Sequence, residues 1–112
     1  MKENSGKNDT LKSQESREKS KGRILNAYAV TGQQSGEILL FWEPAAEAVC
    51  YAVEYRREDE EKWEQIKLLS VNHLKVDSLD SGTKHYFRIA SITVNGPGEW
   101  SETISAEINN EF

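Results

Sequence analysis

The chain contains little cysteine, histidine or proline, and it has no long apolar run. Its single cysteine, Cys50, excludes an internal disulfide bond. The two histidines, His73 and His85, do not provide the closely spaced Cys and His ligands of a typical zinc site. No apolar stretch approaches the ~20 residues that a membrane-spanning helix requires. We therefore expect no disulfide, no metal site and no membrane span.

Catalytic motifs are missing as well. The sequence has no nucleophile motif and no glycine-rich loop that would hold a phosphate in front of a helix. Cys50, His85 and an aspartate would be the residue types of a catalytic triad. Cys50, however, is the first residue of a predicted strand, where a cysteine is better explained as a small apolar side chain packed in the core. An active site needs an acid, a base and a nucleophile in mutual reach, and no such set is evident. We predict that the chain is not an enzyme and uses no cofactor.

Positive charge is concentrated at the N-terminus. Residues 1–22 carry six Lys and Arg residues against four acids, and beyond Met1 their only sizeable apolar side chain is Leu11. Such a segment cannot bury enough surface to offset the entropy of ordering it, so we predict a disordered tail or linker. It also lacks the apolar core of a secretory signal. We expect the mature chain either to work where it is made or to be a piece of a larger exported protein.

The rest of the chain is acidic. Residues 23–112 carry eight Lys and Arg residues against fifteen acids, and the whole chain has a formal net charge of −5. Nucleic acids are bound by basic surfaces, so we expect no nucleic-acid partner. The length of this part suits one domain, and it matches a single β-sandwich of roughly 100 residues.

Alternating apolar and polar side chains predict β-strands throughout residues 23–112. The inward-facing sets are Ile38, Leu40 and Trp42 in one strand, Tyr51, Val53 and Tyr55 in the next, and Phe87 with Ile89 in a later one. Further strands are predicted over residues 24–30, 63–69 and 74–79. A helix over residues 58–69 is rejected because Trp63 and Ile66 alone make too thin an apolar stripe. The pattern indicates an all-β sandwich or barrel.

Several motifs occur in an order that is typical of one family. They are Trp42 on the second strand, Tyr51-x-Val53-x-Tyr55-Arg56 on the third, Trp63 after a loop, Leu79-x-Ser81-Gly82-Thr83, Phe87-x-Ile89, and Gly96-x-Gly98-x-x-Ser101. With these motifs, residues 23–112 resemble a fibronectin type III domain. The resemblance implies an immunoglobulin-like β-sandwich of seven antiparallel strands, in sheets of three and four. It also implies protein binding or cell adhesion, at an extracellular or cell-surface location.

One position departs from the pattern of that family. The resemblance implies a tyrosine at the third residue after the turn glycine, Gly82, where its hydroxyl forms the tyrosine corner. Here that residue is His85, and a tyrosine follows as Tyr86. Alternation with Phe87 directs His85 inward and Tyr86 outward. His85 is interpreted either as a group that senses pH or as a structural histidine that replaces the corner bond. The residues with predicted structural roles are Trp42, Tyr51, Leu79, Gly82 and His85.

The candidate binding residues are aromatic and arginine side chains expected on one face: Arg56, Trp63, Tyr86, Arg88 and Trp100. Aromatic and arginine side chains dominate the binding energy of many protein interfaces. The alternative is a purely structural face, in which Glu54 and Arg88 form a cross-strand pair that shields the aromatic rings.

Two specific binding signatures are incomplete. The chain has no Arg-Gly-Asp, the integrin-binding signature that some members of the family carry. Trp100-Ser101 resembles one half of the tryptophan–serine box of cytokine receptors, but Thr103-Ile104 does not match the second half. Such receptors also stack arginines from the preceding strand on the tryptophan, whereas here that strand has Arg88 alone, followed by Ala90 and Ile92. We therefore discount a cytokine-receptor function.

The sequence thus predicts a protein-binding module or structural spacer whose partner is another protein, and which is more readily a monomer than an oligomer. One alternative is a carbohydrate-associated module in which Trp63 or Trp100 stacks on sugar rings. Another is a subunit of a virion or cell-surface structure. In that case a neighbouring copy would cover the outward Leu39 and Phe41, which are unusually apolar for an exposed face.

Overall fold

The computed structural model of the protein describes residues 23–108, so the predictions for residues 1–22 and 109–112 lie outside the described residues. All regular elements within residues 23–108 are strands, which confirms the rejection of a helix over residues 58–69. The strands are β1 (Tyr28–Thr31), β2 (Ile38–Phe41), β3 (Cys50–Arg57), β4 (Glu64–Leu69), β5 (His73–Val76), β6 (Lys84–Thr93), β7 (Gly96–Pro97) and β8 (Ile104–Glu107). In the described part of the chain, no helix is long and apolar enough to cross a membrane.

Two antiparallel sheets form a sandwich. The smaller sheet contains three strands in the order β1-β2-β5, and the larger contains five, with β3 between β4 and β6 and with β7 and β8 both paired to β6. The predicted all-β sandwich is therefore confirmed.

The structure has eight strands instead of the predicted seven, because the edge strand beside β6 is divided into two short strands, β7 and β8. β7 pairs with the end of β6 and β8 pairs with its start, while β3 occupies the opposite edge of β6 along its length. Between β7 and β8 the chain stays attached to β6: the Gly98 amide donates to the Ser91 carbonyl at 2.8 Å, and the Ser101 amide donates to the Ile89 carbonyl at 2.7 Å. The register shifts between these attachments, as in a β-bulge, and Trp100 lies within the shifted segment. The larger sheet thus has five strands instead of the predicted four, because β7 and β8 together occupy the one position beside β6.

The first strand is shorter than the predicted residues 24–30. Asn26 has a φ of 56°, in the left-handed region, so the extended backbone is broken there and β1 begins only at Tyr28. Ile24 precedes the break and is nevertheless part of the core, with 3% of its surface exposed. In this segment an apolar residue such as Ile24 therefore indicates a buried position but not a strand.

The core lies between the two sheets and contains the inward sets that alternation predicts. Its buried apolar members from the strands are Ile38, Leu40, Tyr51, Val53, Phe87 and Ile89. Trp42 lies directly after β2 rather than on it, and its ring meets Tyr51 edge to face at a centroid distance of 5.5 Å. The Tyr51 hydroxyl accepts a hydrogen bond from the Ala45 amide at 3.0 Å. Each fully buried large side chain of this kind contributes roughly 1.5–3 kcal/mol.

Leu79, in the segment between β5 and β6, is hydrogen-bonded to the loop between β1 and β2. The Leu79 amide donates to the Gly36 carbonyl at 3.0 Å, and Gly36 has a φ of 77°. A Cβ on Gly36 would lie 2.9 Å from the Leu79 carbonyl oxygen. Gly82 has a similar φ of 79°, but a Cβ there would meet nothing within 4 Å. Gly82 is therefore required by its backbone conformation alone, and Gly36 by both conformation and space.

This difference predicts unequal effects of the same substitution. Gly82→Ala is expected to lower the free energy of unfolding by about 1 kcal/mol, which is the cost of a left-handed alanine. Gly36→Ala should cost about 2 kcal/mol or more, since the new methyl group also displaces the backbone of Leu79. Urea unfolding of the two variants and the parent measures both values. Equal losses would show that the contact at Gly36 relaxes without cost.

Candidate functional site

The candidate binding residues come together on the outward face of the larger sheet. Glu54 lies opposite Arg88, and Arg56 lies opposite Tyr86, on the adjacent strands β3 and β6. Trp63 immediately precedes β4, on one side of this pair of strands. Trp100 reaches the face from the other side, out of the interruption between β7 and β8.

These side chains form one continuous stack, which we call the arginine–aromatic ladder: Trp100, Arg88, Trp63, Arg56 and Tyr86. The Arg88 guanidinium carbon lies 4.5 Å from the centroid of Trp100 and 4.3 Å from that of Trp63. The Arg56 guanidinium carbon lies 5.3 Å from Trp63 and 4.7 Å from Tyr86. All four distances are within the roughly 6 Å range of a favourable cation–π interaction.

Both arginines of the ladder have polar partners inside the domain, but only Arg88 is paired with a carboxylate. Arg88 donates from Nε at 2.9 Å and from Nη2 at 2.7 Å to the same carboxylate oxygen of Glu54. This ion pair is shielded, with 26% of the Arg88 side chain and 19% of the Glu54 side chain exposed. Arg56 donates from Nη1 to the Glu60 carbonyl at 2.6 Å. Both guanidinium groups are thus fixed in position by polar partners and by the rings that they stack on.

Ser101 anchors the end of the ladder that carries Trp100. Its side-chain oxygen accepts a hydrogen bond from the Ile89 amide at 3.0 Å and donates to the Glu102 carbonyl at 2.9 Å. Only 7% of Ser101 is exposed. A buried hydroxyl bonded on both sides holds the backbone next to Trp100 in place. Sequence reasoning identified Ser101 only as part of a motif and did not assign it this role.

Arg88 is the only arginine of β6. A second arginine joins the stack from the neighbouring strand β3 rather than from further along β6, where Ala90 follows. Side chains on adjacent strands that point to the same face are about as close as neighbours along one strand, so Arg56 on β3 and Arg88 on β6 reach the same Trp63 ring.

His85 provides the corner bond in place of tyrosine. It is fully buried, with Nε2 2.8 Å from the Asp80 carbonyl oxygen and Nδ1 2.8 Å from the Tyr55 hydroxyl. A carbonyl only accepts, so Nε2 of the neutral ring carries the hydrogen and Nδ1 accepts from Tyr55. The rings of Tyr55 and His85 are also stacked, with centroids 5.7 Å apart. Both nitrogens have partners, which supports the interpretation of His85 as a structural histidine.

Asp80 connects this corner to the end of β3. Its carboxylate accepts a hydrogen bond from Arg57, which also pairs with Asp59 at 3.2 Å. The hydrogen bonds to Asp80 and Asp59 raise the pKa of Arg57 above its ordinary value. Burial raises the pKa of the Tyr55 hydroxyl, so Tyr55 stays protonated as the donor to His85 at neutral pH.

The outward face of the smaller sheet is apolar, as the side chains of Leu39 and Phe41 predict. Both are half-buried. Tyr28 on β1 stacks on Phe41 at a centroid distance of 5.4 Å, and the His73 ring on β5 lies 6.5 Å from that of Phe41. Leu39 lies opposite Val30 on β1 and Lys75 on β5. Tyr28 itself is 54% exposed. The face is therefore an exposed apolar patch that Tyr28 partly covers. Sequence reasoning did not identify Tyr28 as part of it.

Catalytic and metal-binding groups are dispersed in the described part of the chain. Within residues 23–108 no group of three or more His, Cys, Asp or Glu side chains is placed to hold a metal ion. Cys50 is half-buried at the start of β3. The nitrogens of His85 are bonded to Tyr55 and Asp80, as described above.

Comparison of the sequence with known proteins finds relatives that are much longer than this chain. Neogenin from Homo sapiens is 31% identical over 83 residues, which is 67% of this chain and 6% of that protein. Neogenin from Rattus norvegicus is 29% identical over the same length and the same share of each chain. The chain thus spans a small part of the relatives that it matches.

Comparison of the structure finds similar folds at low sequence identity. The sixth fibronectin type III domain of human fibronectin type III domain containing protein 3 has a TM-score of 0.70 at 15% identity, over 80% of this chain and 87% of that one. A Fn3-like protein from Clostridium thermocellum has a TM-score of 0.67 at 16% identity, over 80% and 95% of the two chains. These likenesses show the fold.

The family model of the fibronectin type III domain matches residues 26–107, which is most of the chain and nearly all of the described sandwich. The match agrees with the two-sheet sandwich topology. This chain belongs to the fibronectin type III domain family.

Proposed function

We propose that the chain is a non-enzymatic module that binds another protein through the arginine–aromatic ladder. Membership of the family supports a protein-interaction or structural module. The observation that carries the choice of surface is the stack itself: two arginines and three aromatic rings on one face of the sheet, all partly accessible to solvent. Rigid aromatic and arginine side chains bind a partner with little further loss of entropy.

The alternative is a spacer in which the ladder serves stability only. The shielded ion pair between Glu54 and Arg88 favours this possibility, because both charges are already satisfied inside the domain. The two proposals differ in what a surface substitution changes. In a spacer, a change in the ladder affects the free energy of unfolding alone, whereas in a binding module it also weakens capture of the partner.

Sugar stacking receives less support from the geometry. A carbohydrate-associated module needs an aromatic ring with a free face, but both guanidinium groups of the ladder lie over the Trp63 ring. Trp100 has Arg88 over one face of its ring, so at most the other face is open to a sugar. A glycan-array screen with the parent and with Trp63→Ala and Trp100→Ala separates this alternative from protein binding.

The experiment that tests the proposal compares captured proteins with stability. The parent, Tyr86→Ser and a control variant, Val94→Ala, are immobilised and exposed to extracts of the source cells, and the melting temperature of each is measured. Val94 is 88% exposed and lies outside the ladder. We expect Tyr86→Ser, at the end of the ladder, to lose a specific captured protein while its melting temperature stays within a few degrees of the parent. Capture that is the same for all three chains would contradict the proposal.

A further inference from the structure

The edge strands of the sandwich are unequally protected against pairing with another strand. Exposed edges in soluble proteins are normally blocked by charged side chains or proline. Such blocking residues are present in four of the edge strands: Glu64 and Lys67 in β4, Lys75 in β5, Pro97 in β7, and Glu107 in β8. By contrast β1, with the sequence Tyr-Ala-Val-Thr, contains neither a charge nor a proline. Within residues 23–108 no strand pairs with its outer edge.

The backbone groups that this edge offers follow from its register with β2. The Gly32 amide donates to the Glu37 carbonyl at 2.7 Å, one step beyond the pair of Thr31 with Ile38. In an antiparallel ladder, residues alternate between pairs that exchange hydrogen bonds and pairs that do not. Tyr28 and Val30 therefore bond to β2. The N–H and C=O groups of Ala29 and Thr31 point away from the sheet, toward the free edge.

Space beside this edge is open. A groove of about 730 Å³ runs between residues 23–29 and residues 101–105, on the side of the sandwich where β1 and β8 approach each other. The groove reaches the start of β1 as far as Ala29, so an inward side chain of an added strand would enter it beside Ala29. Side chains that point outward would lie beside Tyr28 and Val30, which are 54% and 42% exposed.

We propose that this edge is an interaction surface for a second copy of the chain, with the two β1 strands antiparallel about a twofold axis at Val30. An added strand must place inward residues beside inward residues and outward-pointing amides beside outward-pointing carbonyls. Pairing Ala29 with Thr31 of the second copy meets both conditions, and each of the two symmetric pairs exchanges two hydrogen bonds. The strand is thus complementary to itself.

Charge and apolar surface favour the same occupant. Around a twofold axis each side chain meets the same type of residue, so a charged strand would repel its copy, and β1 carries no charge. Pairing also joins the two patches of Tyr28, Val30, Leu39 and Phe41 into one continuous apolar face. Four residues per copy form a small interface, so the chain is a monomer in dilute solution and pairs when copies are concentrated. The arginine–aromatic ladder lies on the other sheet and stays free on both copies.

The first test follows the backbone amides of the full chain by NMR as its concentration is raised. We expect shifts at Ala29 and Thr31, and we expect them to disappear in Val30→Lys and in Val30→Glu, each of which places like charges on the axis. A mixture of these two variants should recover the shifts, because opposite charges then meet there. Recovery in the mixture distinguishes this register from a loss of folding. Shifts that map to Leu39 and Phe41 and are insensitive to Val30→Lys would indicate face-to-face packing instead and would overturn the proposal.

The second test is a covalent trap in a Cys50→Ser background, which removes the native thiol. Val30→Cys places two thiols opposite each other at the axis, in a pair of the closely spaced type that does not exchange hydrogen bonds. We expect its disulfide dimer to form at least tenfold faster than that of the control Val94→Cys, whose side chain is more exposed. Equal rates, together with amides that do not respond to concentration, would refute the pairing.

Discussion

Replacing His85 with phenylalanine is expected to lower the free energy of unfolding by about 2–3 kcal/mol, although the ring keeps nearly the same shape. The substitution leaves the Asp80 carbonyl without its donor and the Tyr55 hydroxyl without its acceptor. An unsatisfied buried polar group costs about 1–3 kcal/mol. Urea unfolding monitored by tryptophan fluorescence measures the loss as a lower midpoint at an unchanged slope.

Tyr55→Phe is the matched control for His85→Phe, because it removes only the hydroxyl that bonds to Nδ1. If the two residues act as a pair, the double variant loses less than the sum of the single losses, since neither polar group is then left unpaired toward the other. Strictly additive losses would show that the bond between Tyr55 and His85 contributes nothing to stability.

The second large effect is expected at Arg88, whose guanidinium contacts two tryptophan rings and the shielded Glu54 carboxylate. Arg88→Ala should cost about 2 kcal/mol: it removes cation–π contacts to two tryptophans and leaves the shielded Glu54 carboxylate without its donors. Arg56→Ala is the matched control, because its polar partner is the neutral Glu60 carbonyl, and we expect it to cost about half as much.

A double-mutant cycle separates the two contributions at Arg88. Glu54→Gln removes the carboxylate charge while it keeps the shape of the side chain. In that background the cost of Arg88→Ala should fall to the cation–π and packing part, about 1 kcal/mol. An unchanged cost would show that the ion pair adds nothing and that the stacked rings carry the whole effect. If Arg88→Ala has no effect on stability at all, the alternative in which the ladder serves stability only is contradicted.

How far the sequence predicts this structure depends on the range of the interactions involved. Strict alternation in residues 51–57 and 84–93 placed Val53, Phe87 and Ile89 in the core, because the period of a strand dictates which side chains share a face. The same rule correctly placed the side chain of His85 inward, although the family usually has a tyrosine at this position. The predictions were weakest where the backbone leaves the regular ladder, at Asn26 and between β7 and β8.

The arginine–aromatic ladder shows the same limit. Its residues were predicted as one surface, but the stacking of Trp63 and Trp100 on the arginines could not be derived from the pattern. Both tryptophans lie outside the regular strands, where the direction of a side chain depends on the local backbone and its hydrogen bonds, such as those of Ser101. The role of Tyr55 as the partner of His85 was missed for a related reason. Two inward side chains on adjacent strands form a hydrogen bond only if their polar atoms come within bonding distance. The alternation of the sequence predicts the face to which each side chain points, but not the distance between its atoms and those of a neighbour.

The sequence by itself determined the all-β sandwich and the inward residues of its strands, since these follow from local periodicity and turn chemistry. The family was indicated by the resemblance of its motifs to those of known members. Only the tertiary structure decided that His85 completes the corner by bonding to Asp80 and Tyr55, and that arginines from two strands share one stack. It also decided that β1 is left as the uncharged edge. Each of these depends on contacts between segments distant in sequence, whose geometry is set when the two sheets pack.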